Sequence, residues 1–255
     1  MPIDISLLNK VKKSKFHNQY KINGIEFSNY NEYELNKLRY VDALAIDKRY
    51  FFYYYFSLIK RNNIFIFAFL LSNDYNPRAI KITIFSFTIS LYFAMNVVFI
   101  NDAVVHALYK DKGNFYLEYH MPHIVYSIIV SAVFIGIIKF VFLSEKDIMQ
   151  IRSVKEKEYI NGKCSKIINY VKCKFILLYI LDFILMFFFW LYVGLFCAVF
   201  KNTQIYLIKK TLISFGFYLL YPFVFCLITA TFRILSLKSR NRSCLYKISQ
   251  ILQNI

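Results

Sequence analysis

The sequence predicts an all-α polytopic membrane protein with four transmembrane helices and cytoplasmic termini, preceded by an interfacial aromatic helical segment. Of its 255 residues, 58% are hydrophobic, more than the roughly 45 to 50% of soluble domains. The apolar residues gather into blocks of about 20, the length that crosses the roughly 30 Å core of a bilayer as a helix. Lys and Arg concentrate on alternate sides of those blocks. A disordered or purely soluble chain is therefore excluded.

Residues 1–45 form a polar region that we expect to be cytoplasmic and loosely folded. Three lysines cluster at Lys12, Lys13 and Lys15, and no apolar stretch is long enough for a cleavable signal peptide. The first span must then act as its own insertion signal.

Residues 46–79 are predicted to form an interfacial amphipathic helical segment. Residues 51–71 are long enough to span, but their centre is polar. Two central charges alone cost about 5 to 7 kcal/mol on insertion scales. The aromatic run at residues 50–56, beside two basic residues, suits headgroup depth. The polar centre consists of Lys60, Arg61, Asn62 and Asn63.

Four segments meet the hydropathy and length criteria for spans within a transmembrane domain over residues 80–232. The first and fourth hold no charge, the second holds only Lys139, and the third holds only Asp182. The spans are residues 82–100, 124–143, 175–200 and 212–232.

The basic residues predict the orientation. The region before the first span, residues 144–174 and the basic tail at 233–255 hold 26 Lys and Arg, against 5 in the other two loops. The positive-inside rule places those three regions in the cytoplasm. Three lysines oppose this assignment mildly: Lys201, Lys209 and Lys210.

The central loop, residues 144–174, is predicted to be a cytoplasmic helical hairpin. Apolar residues repeat at helical spacing on both sides of Asn161 and Gly162, so we expect the chain to turn near Gly162. A solvated charged loop is the alternative.

The net charge of +17 indicates membrane lipids as partners, since the charges flank apolar spans and no nucleic-acid-binding signature accompanies them. Other membrane proteins are the second class of partner that we expect. The five cysteines fall in cytoplasmic regions or inside spans, which favours no disulfide framework.

Lys139 and Asp182 are the intramembrane ionisable residues, and such residues are functional candidates by default. Both fall in the cytoplasmic half of their spans, so an ion pair between neighbouring helices is the leading interpretation. Snorkelling of Lys139 with a protonated Asp182 comes second, and an ion or proton path third.

Small residues at a spacing of four favour close helix packing. The second span carries Ala132 and Gly136, and the third carries Gly194 and Ala198. A stripe of small residues also marks the first span. Pro222 in the fourth span removes a backbone donor and predicts a kink, either a gate or, more often, a static bend.

The histidines give little support for a metal site, and the sequence gives little support for enzyme activity. His106, His120 and His123 lie in one predicted outer loop, but Pro122 should break the register that would direct the last two at one ion. No catalytic or phosphate-binding motif is present. We therefore expect no metal, no cofactor and no enzyme activity.

Several stretches resemble a family of uncharacterised multi-span transmembrane proteins of ciliates and other protists. They are Asp74-Tyr75-Asn76, Tyr126-Ser127, Leu143-Ser144-Glu145-Lys146, Phe196-Cys197-Ala198-Val199, Lys201-Asn202-Thr203-Gln204, Thr211-Leu212-Ile213-Ser214-Phe215-Gly216 and Leu220-Tyr221-Pro222.

The resemblance covers residues 32–255. It implies the C-terminal membrane region of longer chains, so that Met1 begins a fragment or a short paralogue, and it implies no activity. It also implies glutamine near positions 120 and 123, which weakens the metal interpretation.

The leading functional hypothesis is a non-catalytic membrane module that anchors or assembles with other membrane proteins. The alternative is a channel or transporter subunit that uses Lys139, Asp182 and the Pro222 kink. A lipid-modifying enzyme would need polar residues clustered at one interface, and the sequence shows none.

Overall fold

Four long apolar helices dominate the structure, a computed structural model. It describes residues 21–22, 25–26, 31–70, 74–110, 117–145, 147–148, 157–201, 203–238 and 243–254. Each helix is long and apolar enough to cross a bilayer, over Arg78–Val98, Met121–Phe142, Ser165–Val199 and Gln204–Lys238. The prediction of an all-α, multi-pass membrane protein with four spans is confirmed.

Shorter elements surround these helices. Lys21–Ile22 and Ile25–Glu26 (β1 and β2) form a short antiparallel pair. The helices, in chain order, are α1 Glu32–Asn36, α2 Tyr40–Ile46, α3 Phe51–Asn62, α4 Ile64–Phe69, α5 Arg78–Val98, α6 Asp102–Lys110, α7 Leu117–Phe142, α8 Lys157–Val199, α9 Gln204–Lys238 and α10 Ser243–Asn254.

Helix α5 is central, and side-chain contacts set the direction of its neighbours. It runs antiparallel to α9, since Tyr92 packs on Tyr218 at 5.3 Å between ring centroids and the Asn96 amide donates to Ser214 Oγ at 2.7 Å. It runs parallel to α8, because Ser86 Oγ contacts Met186 Sδ at 3.8 Å and Trp190 Nε1, one turn on, donates to Ser90 Oγ at 3.2 Å.

Helix α7 is also antiparallel to α5. Phe99 lies beside Tyr126 at 6.2 Å between ring centroids, while Asn76 Oδ1 accepts from the Ser144 backbone at 3.0 Å. The bundle therefore has two ends. We call them the Arg233 end, where α5 begins and α9 finishes, and the Lys210 end, where α5 finishes and α9 begins.

The α3–α4 pair breaks at Asn63 and packs against α5 and α9. Its apolar face is buried at Leu58, Ile64 and Phe67, whereas aromatic side chains on the other face are exposed. Asn63 contacts Leu219, which lies about 21 Å along α9 from Arg233 at 1.5 Å per residue. The predicted interfacial segment is thus a helix pair that reaches deep into the bundle.

The predicted polar N-terminal region and the predicted basic tail both contain helices that pack on the rest of the protein. Within the predicted polar N-terminal region, α1 and α2 are fixed by backbone contacts, since the Leu38 carbonyl accepts from Tyr246 at 2.7 Å and from Gln250 at 2.9 Å. The expectation of loose folding is wrong for these helices. Both donors lie on α10, within the predicted basic tail, and α10 packs against α9.

The predicted turn near Gly162 is also wrong. Helix α8 continues from Lys157 to Val199 through Asn161 and Gly162. A glycine inside a helix costs about 1 kcal/mol, which a helix of this length tolerates. Residues 149–156, the other part of the predicted hairpin, lie outside the described residues.

Candidate functional site

A fully buried arginine on α9 is the centre of the first polar cluster. Arg233 Nη2 donates to Asp47 Oδ2 at 3.0 Å and to the Leu35 carbonyl at 2.8 Å, while Nη1 donates to the Asn36 carbonyl at 3.1 Å. Arg49 donates to the same carboxylate through Nε at 2.7 Å and Nη2 at 2.8 Å. We call Arg233, Asp47 and Arg49 the arginine cluster.

Aromatic rings enclose this cluster. The Arg233 guanidinium lies 4.9 Å from the Tyr54 ring centroid and 4.8 Å from that of Tyr246, within cation–π range. Burial favours a neutral Asp47, but hydrogen bonds and charge from Arg49 and Arg233 outweigh it and lower the pKa of Asp47. Burial also raises the pKa of Tyr54 to about 12. The arginine cluster therefore links α9 to the N-terminal helices through a carboxylate that stays ionised.

A second polar cluster joins the start of α5 to the end of α7. Glu145 Oε1 accepts from the Asn76 amide at 3.0 Å, and Asn76 Oδ1 accepts from the Ser144 backbone. Lys81 Nζ lies 2.6 Å from Asp74 Oδ1. We call Glu145, Asn76, Asp74 and Lys81 the Glu145 cluster.

A cavity of about 30 Å³ lies between the Glu145 cluster and helices α1 and α3. Within the described chain, Asn31 Oδ1, Asn36 Oδ1 and Arg61 Nη1 are buried with no hydrogen-bond partner. A cavity needs about 10 to 15 Å³ to hold one water, so this volume suits one or two waters that bridge these atoms. It is lined by Asn31, Glu32, Tyr33, Asn36, Ser57, Lys60, Arg61, Phe67, Asp74 and Glu145.

Glu145 makes the stability of this region depend on pH. Burial is the main cause that raises the pKa of Glu145 above its ordinary 4.5, and Asp74 adds to it while Arg61, Lys37 and Asn76 oppose it. The folded state thus binds the proton more tightly than the unfolded state does. Its stability should fall as the pH rises from about 4.5 through the raised pKa.

We expect Glu145→Gln to remove this pH dependence, because glutamine keeps the shape without the charge. The stability of the variant relative to the wild type should increase from pH 4 to pH 8, as measured by thermal unfolding in a mild detergent. Asp102→Asn, an exposed change at the Lys210 end, is the matched control. Parallel pH profiles for Glu145→Gln and the wild type would show that the buried carboxyl has no such effect.

Pro222 lies in a continuous helix. Side chains from the α3–α4 pair donate hydrogen bonds to backbone carbonyls close to it. Asn63 Nδ2 donates to the Leu219 carbonyl at 2.8 Å, and Tyr55 OH donates to the Phe223 carbonyl at 3.2 Å. Pro222 itself frees the Tyr218 carbonyl, four residues back, so these two hydrogen bonds support the backbone on either side of the proline. This arrangement favours a static bend over a gate.

Lys139 and Asp182 lie at the same level of the bundle but do not pair. Among the described ion pairs none joins them; Lys139 Nζ lies 5.6 Å from the centre of the Phe67 ring, and Asp182 Oδ1 is buried without a partner. The leading sequence interpretation is therefore wrong. The reason is that α7 and α8 pack on α5 but barely contact each other.

The predicted small-residue steps do not pack inside the bundle. Gly136, Gly194 and Ala198 are exposed and Ala132 is half-buried. A methyl group added at Gly136 or Gly194 would meet no atom within 4 Å. The stripe on the first span does pack, since Ser86 and Ser90 contact α8.

The predicted outer loop is partly helical. His106 lies on α6, and α7 continues as a helix through Pro122, so the expected break there is wrong. Proline is accepted because it falls within the first two turns, where few backbone bonds are lost. No three potential metal ligands converge within the described part of the chain; the His120 side chain lies outside it.

A third polar group, which sequence reasoning missed, lies inside the bundle near the Lys210 end. Fully buried Lys210 donates to the Asn96 carbonyl at 3.1 Å and to the Phe99 carbonyl at 3.5 Å, which caps the last turn of α5. The sequence pattern assigns Lys210 to a loop, where it opposes the predicted orientation. Its position between the apolar residues at 205–208 and the fourth apolar block at 212–232 was the available signal.

Buried hydroxyl groups and one amide lie within about 12 Å of this lysine along the bundle, and we call the whole set the polar core. Several of its oxygen atoms have no hydrogen-bond partner among the described residues. They are Tyr92 OH, Asn96 Oδ1, Ser127 Oγ, Ser131 Oγ and Thr211 Oγ1. The remaining members are Lys210 and Ser214.

Comparison of the chain with protein families, curated proteins and solved structures found no match. The resemblance to protist membrane proteins therefore stays a prediction.

Proposed function

We propose that this membrane protein is a non-catalytic module that anchors or assembles with other membrane proteins. The observation that carries the proposal is the placement of small residues on exposed faces of the long helices. In lipid, small residues let helix backbones approach closely, and a helix partner gains contact area there. Gly194 and Ala198 form such a step on α8.

Helix α8 is the surface that we assign to assembly. Only 11% of its most apolar stretch is buried within the protein, against 61% for α5. Its 43 residues span about 65 Å at 1.5 Å per residue, roughly twice the bilayer core. The helix thus offers a long face inside the membrane and a further part beyond it.

A second long helix, α7, carries an exposed glycine that supports the same proposal. Gly136 on α7 is exposed and open to approach, like Gly194. Two features that a transport pathway would use also favour the assembly proposal. Lys139 and Asp182 form no ion pair with each other among the described residues, and the backbone beside Pro222 is held by a hydrogen bond from Asn63.

Bulky substitution on α8 tests the proposal. Gly194→Ile and Ala198→Ile should leave the fold intact and reduce the mass of the complex isolated in mild detergent toward the 30.5 kDa of one chain. Leu195→Ile, on the same exposed face, is the matched control. The mass is measured by size-exclusion chromatography with light scattering and by native mass spectrometry.

A wild-type protein that runs as a single chain, or variants that assemble as well as the wild type, would contradict the proposal. Asp182→Asn separates the alternative function. Under the assembly proposal, the variant forms a complex of the same mass as the wild type. Neither protein conducts ions in reconstituted membranes, whereas a channel or transporter would lose its conductance on this substitution.

A further inference from the structure

The polar core is the strongest unexplained feature of the bundle. Its members come from three helices that pack on one another: Tyr92 and Asn96 from α5, Ser127 and Ser131 from α7, and Lys210, Thr211 and Ser214 from α9. An unpartnered hydroxyl group inside an apolar environment costs about 1 to 3 kcal/mol on mutational scales. Four of them in one bundle call for a physical reason.

The contacts place these groups over about 12 Å of the bundle. Asn96 donates to Ser214 Oγ, so Lys210 and Thr211 lie about one turn nearer the end of α5 than Asn96 does. Phe99 packs beside Tyr126, which puts Ser127 near the height of Thr211. Ser131 lies one turn, about 6 Å, deeper than Ser127, and Tyr92 lies deeper still, with its ring against Tyr218. Lys210, Thr211 and Ser127 thus lie within one turn of one another along the bundle.

Charge indicates what this patch would bind. Lys210 carries a full positive charge, whereas the helix end that it caps offers only about half a negative charge. Asp182, the acid inside the spans, lies at the level of Ile82 in the α5–α8 pairing, about 21 Å along the bundle from Asn96. His123 is close enough to Lys210 for their charges to interact.

We propose that the polar core binds a small inorganic monovalent anion of the size of chloride. Lys210 supplies the charge, and the hydroxyl groups of Thr211, Ser127 and Ser131 supply hydrogen-bond donors that the described part of the protein leaves unused. The Asn96 amide, held by the Tyr92 carbonyl at 2.9 Å and by Ser214, orients the lysine through its backbone carbonyl. This site is independent of the assembly face on α8.

Anion-dependent stability tests the site in the intact chain. Thermal unfolding in mild detergent is measured in sodium chloride and in sodium gluconate at equal ionic strength, because gluconate is too large for a buried site. We expect a saturable rise in the unfolding temperature with chloride alone. Broadening of the chloride NMR signal by the protein gives a second, direct measurement.

Two substitutions locate the effect. Lys210→Met should weaken the apparent chloride affinity by about tenfold or more, since a hydrogen bond from a charged group contributes about 1.5 to 3 kcal/mol. Lys209→Met is the matched control, because Lys209 is adjacent and exposed. Lys209→Met should keep the wild-type response.

The hydroxyl groups keep the proposal falsifiable if Lys210→Met does not fold. With a bound anion, Thr211→Val and Ser131→Ala should reduce the chloride response, by roughly threefold to tenfold in affinity for a lost hydrogen bond. If these variants instead become more stable and respond to chloride as before, the hydroxyls are only unsatisfied or hydrated. Equal wild-type stability in chloride and gluconate would overturn the proposal.

Discussion

Replacing Arg233 by methionine is expected to destabilise the protein by about 3 to 5 kcal/mol, the usual cost of removing one partner from a buried ion pair. The substitution leaves the carbonyls of Leu35 and Asn36 without their donor and leaves Asp47 with Arg49 alone. It also removes the cation between two aromatic rings. The unfolding temperature in mild detergent and hydrogen exchange over α1 and α2 measure the effect.

The geometry of the guanidinium should matter as much as its charge. Arg233→Lys keeps the charge but cannot donate to two carbonyls and a carboxylate in the same plane, so we expect it to recover little of the loss. Lys238→Met, an exposed change on the same helix, should stay within about 0.5 kcal/mol of the wild type. If Arg233→Met resembles this control, the arginine cluster does not hold α1 and α2 on the bundle.

The four spans were predictable because their signal is local. A run of about 20 apolar residues is enough to identify a membrane helix, whatever it packs against. Lys139 and Asp182 show the limit of that signal. Rise per residue placed both in the same half of their spans, but which helices are neighbours depends on packing around α5 that hydropathy does not encode.

The arginine cluster was missed for a related reason. In the sequence, Arg233 follows the fourth apolar block and looks like the first basic residue of a tail, while Asp47 and Arg49 lie 186 and 184 positions away. Their meeting requires the α3–α4 pair to enter the bundle, which its polar centre argued against. The polar centre can pack inside the protein because Asn63 donates to the Leu219 carbonyl and the Arg61 guanidinium lies over the Tyr33 ring.

Gly194 and Gly136 were misjudged because small-residue spacing does not indicate which side a helix presents. Each step identifies a surface that a second helix can approach, but that helix need not belong to the same chain. The stripe containing Ser86 and Ser90, with the same kind of pattern, does face α8. Only the packed structure distinguishes the inner stripe from the outer ones.

Asn63→Ala is the second change for which we expect a large loss, about 1.5 to 3 kcal/mol in unfolding free energy. Asn63 Oδ1 accepts from the backbones of Phe65 and Ile66 and so caps α4, and caps contribute about 1 kcal/mol. Its amide also donates to the Leu219 carbonyl, and a hydrogen bond of this kind contributes about 0.5 to 1.5 kcal/mol. Asn62→Ala is the control, because the Asn62 amide donates to the weak acceptor Cys226 Sγ, at 3.4 Å.

Combination with Pro222→Ala shows whether Asn63 compensates for the proline. Alanine restores the backbone donor to the Tyr218 carbonyl and relieves the ring contact with the preceding turn, which should tighten the turn that contains Leu219 and make its carbonyl depend less on Asn63. The loss caused by Asn63→Ala should then shrink by about 1 kcal/mol in the Pro222→Ala background, a non-additivity typical of residues in one network. Strict additivity would mean that Pro222 and the Asn63 contact are independent. A proline turn held from a neighbouring element is a fixed part of the bundle, since any movement of α9 at Leu219 would also have to break the hydrogen bond from Asn63.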